Sequence, residues 1–411
     1  MSANDPSPIQ RREFLQAGAL ASAATLSLGS KALADEPKAE QAAILPTRKL
    51  GKTGVDVTIL NHGTWLAPGA LDRLMRTSYA AGVRYFDTAK VYKTEPAVAK
   101  WLQAMPEVRK NIFLATKDWP KDASQMAKML DERLATLKVD YVDLFFVHAL
   151  GDNGSAANPI KFAGSPEFAE AIEKIKKSGK AKFVGFSTHH ETKAQIIQSA
   201  ADAGFVDVIM VAFNPWVDKG AEINKALDAA HKKGIGLISM KQISGTDAHK
   251  LEMLGEVSKH VPELKERGLT PYQGLLQAIW SDERFSTSCV SMHNLNHIAE
   301  NTEAARKFKP LKTASLEAMK RAFLASKPTM CANCDGSCSR AAGTEAELGN
   351  LTRFLTYHEH HGHRSTARQE YSAMADAAKN WQGADLAAAQ AACHSNLDFS
   401  ELLPKVERYL A

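Results

Sequence analysis

The chain has 411 residues, Lys+Arg 51 against Asp+Glu 46, and a net charge of +5 with histidines neutral. Hydrophobic residues at 45% and charged residues at 24% exclude a disordered or fibrous chain. The charge surplus is too thin to imply a nucleic-acid partner, and no apolar run reaches the roughly 18–20 residues that cross a bilayer.

The first segment reads as an export signal. Arg11-Arg12 precede Phe14-Leu15, a mild apolar run follows from Ala17 to Leu28, and Ala32-Leu33-Ala34 supplies a small-x-small cleavage site. The paired arginines before Phe-Leu resemble the twin-arginine type, an address read by the export machinery. Residues 1–34 are therefore expected to be removed, and the mature chain to be periplasmic or otherwise exported. Cysteines in such an oxidising compartment are free to form disulfides.

From about residue 50 to 306, short β-rich runs alternate with helical patterns. Strands are expected at Thr58–Gly63, Tyr85–Ala89, Ile112–Lys117, Tyr141–His148, Ala181–Thr188, Val206–Asn214, Gly236–Lys241 and Thr287–Met292. Amphipathic helices are expected between them at Ser124–Lys138, Ala169–Lys180 and Glu222–Gly234, the latter two with Gly at or near the C-terminal end. Runs such as YVDLFFV and DVIMVAFN are almost wholly apolar, as suits strands buried on both faces of a parallel sheet.

Eight strand–helix units in about 250 residues match an α/β (β/α)8 TIM barrel. The competing doubly wound sheet lacks its Gly-x-Gly-x-x-Gly after the first strand. The barrel is expected over residues 47–309. Beyond 310 the strand-like runs stop, and helical patterns at Ala314–Ala325, Glu345–Tyr357, Ala367–Asn380 and Phe399–Ala411 define an appended C-terminal α-helical module over residues 310–411.

In such a barrel the chemistry gathers at the C-terminal ends of the strands. YFDTAKVY carries Asp87 at the strand end and Tyr92 in the next loop, IFLATK ends in Lys117, and YVDLFFVH ends in His148. A lysine or histidine ending an apolar run is costly unless paired. Together the four form a proton-donor site in which Lys117 would lower the Tyr92 pKa, Asp87 would hold the lysine charged, and His148 would donate or accept a hydrogen bond.

The segments RKLGKTGVDVTILNHGTW, GVRYFDTAKVYKTE, NIFLATK and YVDLFFVH resemble the aldo/keto reductase family over roughly residues 47–306. That resemblance implies a catalytic tetrad of Asp87, Tyr92, Lys117 and His148. It also implies hydride transfer between NADP or NAD and a small carbonyl or alcohol substrate, with Tyr92 as general acid and base. It assigns cofactor contacts to Gly63, Thr64, Trp65, Asp87, Ser187, Thr188, Met210, Lys241, Asn294, Glu300 and Asn301. Several of these depart from the family pattern. Thr188 stands where Asn is usual, Met210 where Gln is usual, and Met292, Asn294 and His297 replace the Gly and the basic residue that receives the 2′-phosphate. Phe213 and Trp216 are either ring-stacking or core residues.

Cys331-x2-Cys334-x3-Cys338 and Cys393 resemble a thinned ferredoxin-like module, such as some exported members of the family carry. An iron–sulfur cluster, a zinc site, and disulfides or free thiols are the readings open to them. The two-cluster ligation rule would join Cys331, Cys334 and Cys393 and strand Cys338. Cys289 reads as a core residue. The YHEHHGHR run reads as a polar helix end closed by Gly362, or as metal ligands His358 and His361. Besides the reductase, two functions stay open: a ligand-sensing barrel without turnover, and an iron–sulfur-linked redox protein.

Overall fold

A short antiparallel hairpin opens the computed structural model, β1 (Thr47–Lys49) against β2 (Asp56–Thr58). The structure describes residues 42–67, 69, 71–152, 155–242, 261–325, 328–331 and 334–411. The expected leader over residues 1–34 and residues 243–260 lie outside the described residues. Sequence patterning did not separate this hairpin from the first barrel strand. Its turn is tight because Gly51 sits at φ +53, and a Cβ there would lie 2.3 Å from the Gly234 carbonyl oxygen.

Eight parallel strands then close a barrel: β3 (Leu60–Gly63), β4 (Tyr85–Asp87), β5 (Phe113–Asp118), β6 (Val142–Val147), β7 (Ala181–Thr188), β8 (Val208–Ala212), β9 (Gly236–Met240) and β10 (Phe285–Ser291). Closure is by β10 on β3, with Ser288 opposite Leu60 and Ser291 opposite Gly63. The register levels the strand ends. Gly63 faces Asp87, and Lys117 faces Phe146 two residues before the chain turns at His148. A backbone bond from His148 N to Asp118 O at 2.8 Å holds that step.

The apolar strand faces form two layers. Inside the barrel, Tyr85, Phe113, Leu144, Phe146, Met210 and Ile238 pack together, and Leu50 and Val57 of the hairpin plug the end opposite the site. Outside, residues such as Leu74, Trp101, Leu134, Ile197 and Trp280 bury the helices against the strands. Helix starts carry the expected caps. Ser165 Oγ accepts from Phe168 N before the helix Pro166–Lys177, and Thr270 and Gln273 form a capping box on Pro271–Trp280.

The helix Thr313–Ala325 buries Met319 and Phe323 in the barrel's outer layer, with Phe323 stacked on Trp216 at 5.0 Å. The remaining helices, principally Leu348–Glu359, Arg364–Ala373 and Phe399–Leu410, enclose a second core of Leu351, Leu355, Phe399, Leu403 and Val406. The single helix expected over Ala367–Asn380 is broken, because Met374 and Ala375 are extended at ψ 148 and 150 and Met374 turns onto this core. Trp65, in the loop after β3, packs on the same cluster. Barrel and helical module form one compact unit, Ala42–Ala411. Among the described residues no helix is long and apolar enough to cross a membrane.

Candidate active site

A cavity of about 650 Å³ opens at the C-terminal ends of the strands, and Asp87, Tyr92, Lys117 and His148 line it. Lys117 and Asp87 are 1% and 2% exposed and form a direct ion pair at the floor. Lys117 Nζ also donates to Thr88 O at 3.0 Å. Tyr92 ends a single 3-10 turn, Lys90–Tyr92, that Lys90 ties to Asp118 at 3.2 Å. Its hydroxyl lies 3.4 Å from His148 Nε2, and Trp119 stacks on the other face of that imidazole at 5.3 Å. A buried network braces these loops: Glu95 accepts from Thr116 at 2.6 Å and pairs with Arg133 at 2.7 Å, and Arg133 reaches Asp118 at 3.2 Å.

Electrostatics differ from the sequence-based expectation in one respect. Tyr92 is held well above the ordinary tyrosine pKa, first by burial and then by the negative field of Asp87. Lys117 pairs directly with Asp87, and its ammonium stands 5.3 Å from the Tyr92 ring centroid. Burial and then Lys117 push His148 well below its ordinary value, so the imidazole is neutral. Burial raises Asp87 and the Lys117 charge opposes that rise.

The residues assigned to cofactor contacts divide into two groups. Gly63, Trp65, Asp87, Ser187, Met210, Lys241, Glu300 and Asn301 line the cavity. The side chains of Thr64, Thr188 and Asn294 are turned elsewhere. Thr64 Oγ1 bonds Thr94 Oγ1 at 2.8 Å, Thr188 Oγ1 donates to Leu150 O at 3.0 Å, and Asn294 caps the helix Leu295–Arg306 by accepting from His297 N at 2.8 Å. Ser187 Oγ accepts from Ala149 N at 2.9 Å. Phe213 and Trp216 are core residues, packed on Phe285 at 4.4 Å and Phe323 at 5.0 Å. Lys241 donates to the Tyr357 hydroxyl at 3.0 Å.

Tyr357 belongs to a roof that sequence reading missed. The helix Leu348–Glu359 of the C-terminal module brings Arg353, Phe354 and Tyr357 over the cavity, and His361 and His363 follow from the next loop. Trp65 joins them, 5.6 Å from the Tyr357 ring and 5.9 Å from His363. Flanking Lys241 and Arg353 charges bring Tyr357 below the ordinary tyrosine value even against burial. The histidine run is thereby divided: His358 stacks on Tyr409 at 5.4 Å, whereas His361 packs on Tyr357 at 5.6 Å. Cys289 is also more than core filling. It lines the cavity beside Gly63, whose Cβ would meet its sulfur at 2.9 Å.

The cysteines of the module converge. Cys331, Cys334 and Cys338 line one small pocket with Glu191 and Lys193, so Cys338 is not stranded. The field of Cys393 reaches Cys338. Among the described residues no disulfide joins the five cysteines. That pocket does not fit an iron–sulfur cluster. It has room of about 20 Å³, enough for a water. Burial pushes the Cys334 thiol up to about 12 and the Cys338 thiol higher.

A parallel eight-stranded barrel with a polar tetrad and a large cavity at its C-terminal mouth defines a barrel enzyme. The Aldo/keto reductase family profile matches residues 63–323. The chain belongs to that family and is an oxidoreductase. It is 24% identical to an L-galactose dehydrogenase of Arabidopsis thaliana over 291 residues, 64% of this chain and 89% of that enzyme. It is 26% identical to an L-glyceraldehyde 3-phosphate reductase of Escherichia coli O157:H7 over 254 residues, 54% of this chain and 70% of that enzyme. The holo form of aldo-keto reductase AKR11C1 from Bacillus halodurans shares the fold at a TM-score of 0.54 and 19% identity, covering 67% of this chain and 96% of that one.

Proposed function

We propose that the chain interconverts a small carbonyl compound and its alcohol, using Tyr92 as the proton donor and acceptor. The observation that carries this reading is the Tyr92 hydroxyl 3.4 Å from neutral His148 and above the buried Asp87–Lys117 pair. In reduction the carbonyl carbon gains a hydride and its oxygen takes the Tyr92 proton, giving the alcohol and a phenolate that water reprotonates. His148 Nε2 orients the carbonyl oxygen toward Tyr92, and Lys117 supplies positive charge as negative charge develops. A nicotinamide coenzyme, when bound, supplies the hydride. The cavity fits such a group in size and lining, and Trp65, Ser187, Met210, Glu300 and Asn301 are the residues that would hold it. His297 is the basic residue of the first turn of the helix Leu295–Arg306, and burial followed by His293 lowers its pKa. That favours a coenzyme without a 2′-phosphate.

The test is Tyr92→Phe in the full mature chain. Carbonyl reduction should be lost while coenzyme binding, read by fluorescence quenching, is retained. A chain that binds coenzyme and reduces no aldehyde even with Tyr92 present is a sensing barrel rather than a reductase. For residues 1–34 we propose twin-arginine export, supported by Arg11-Arg12, the apolar run and Ala32-Leu33-Ala34.

A further inference from the structure

The tetrad explains the floor of the cavity but not the charge in its roof. Arg353 is 3% exposed, yet among the described residues its guanidinium has one hydrogen-bond partner, the neutral Asn350 Oδ1, 2.5 Å from Nη2. Its Nε is buried without a partner. Phe354 and Tyr357 lie under its plane, with ring centroids at 4.8 and 5.9 Å. Among the described residues no carboxylate oxygen comes within salt-bridge distance of it. The buried arginines of the barrel behave differently: Arg133 has Glu95 at 2.7 Å, and Arg109 has Asp143 at 2.9 Å.

A second cation stands beside it. Lys241 follows β9 in the left-handed region at φ 55, a conformation that a lysine rarely adopts. Its Nζ has the Tyr357 hydroxyl at 3.0 Å and the Trp65 ring at 5.3 Å. Asp152 and Glu347 lie in the field of Arg353, which favours their charged forms, but neither carboxylate reaches salt-bridge distance of it. Asp152 lies 3.0 Å from His189, Glu347 accepts from the Asn350 amide, and Glu300 accepts from Thr270 at 2.5 Å. Glu370 sits partly exposed at the mouth.

A buried guanidinium with no carboxylate in direct contact is costly, and an anion seated on its fork relieves that cost. The planar fork of Arg353 suits two oxygens of one carboxylate, and the flat faces of Phe354, Tyr357 and Trp65 suit an unsaturated or short apolar body. We propose that Arg353, assisted by Lys241, binds the carboxylate of the substrate, so that the enzyme acts on oxo-acids: small aldehydes or ketones bearing a carboxylate. This rests on the carbonyl-reductase reading of the same cavity. Carbonyl and carboxylate then span from Tyr92 at the floor to Arg353 at the roof, and specificity comes from the appended module rather than from the barrel. The coenzyme diphosphate is the other source of anionic oxygens for these two cations.

The experiment compares 4-carboxybenzaldehyde with benzaldehyde as substrates of the full mature chain at saturating coenzyme. The charged aldehyde should be favoured in kcat/KM by about 10- to 100-fold, the range of a charge-assisted hydrogen-bonded pair. Arg353→Gln should remove that preference through KM, and Arg353→Lys should keep part of it. Calorimetric titration with benzoate reads the anion site without turnover, and near-UV circular dichroism establishes that each variant is folded. Equal kcat/KM for both aldehydes in the parent, with no benzoate binding, overturns the proposal. So does an Arg353→Gln protein whose preference is unchanged while its coenzyme affinity falls, since the anion is then the coenzyme phosphate. Benzoate bound in an Arg353-dependent manner, without reduction of either aldehyde, leaves the anion site standing and fails the reductase reading instead.

Discussion

Replacing Lys117 by Met removes the cation facing Asp87 while keeping most of the side-chain volume. Both groups are within 2% of complete burial, so water cannot take the place of the ammonium. Leaving the carboxylate charged and unpaired costs about 3–5 kcal/mol. The alternative is proton uptake, which for an ordinary aspartate near 3.9 costs about 4 kcal/mol at pH 7 and about 1.5 kcal/mol at pH 5. Either route gives a loss of about 4 kcal/mol at pH 7, and only proton uptake relieves it in acid. The sign follows from linkage: a carboxyl raised in the folded state binds more protons folded than unfolded. Stability therefore falls as pH rises from the unfolded value through the folded one, and Asp87 is already shifted in that direction. Urea unfolding of Lys117→Met against the parent at pH 7 and pH 5 measures both deficits. Asp87→Asn combined with Lys117→Met should recover most of the loss. A deficit below about 1 kcal/mol at pH 7, or one equal at the two pH values, would refute the claim that this pair is a buried charge pair.

Tyr92→Phe should lower kcat/KM for reduction by about 10²- to 10⁴-fold, the range of positioned proton donors, with little change in the urea midpoint. Because burial and Asp87 raise Tyr92 and burial lowers His148, reduction measured as kcat against pH should be flat from pH 6 to 9. A limb near pH 6.5 would mean that His148 titrates. Gly51→Ala should cost about 1–3 kcal/mol in a denaturant midpoint, from the positive φ and the Gly234 carbonyl 2.3 Å from the new Cβ. Exchange of Arg11-Arg12 for two lysines should leave the chain in the cytoplasm on cell fractionation, with the signal segment uncleaved.

The barrel was legible because its signals are local. A parallel strand buried on both faces is a contiguous apolar run, as in Val142–Val147 and Val208–Ala212, and each run predicted as a strand contains or overlaps one of β3 to β10. The β1–β2 hairpin was missed because its strands are three residues each, too short for a period to declare itself. Asp87, Lys117 and His148 were legible for a related reason: a charged or polar residue closing an apolar run stands out, and strand register then brings the three to one level. The side chains of Thr64, Thr188 and Asn294 turn away from the cavity although they lie near its lining residues in the chain. Which way a hydroxyl or amide turns is decided by the partner it finds, here Thr94, Leu150 and the first turn of Leu295–Arg306.

What the sequence by itself determined was the barrel, the order of its strands and the four polar residues at its mouth, since each is written in a stretch of a few residues. Only the tertiary structure decided what lies above them. Leu348–Glu359 reads in the sequence as one more helix of an appended module, and nothing within it distinguishes Arg353 from an arginine bound for solvent. Its burial over Tyr357, next to a lysine 112 positions earlier, follows from packing of the second core against Trp65 and the strand ends. Long-range packing selects which face of a helix meets the cavity, and no local pattern records that choice.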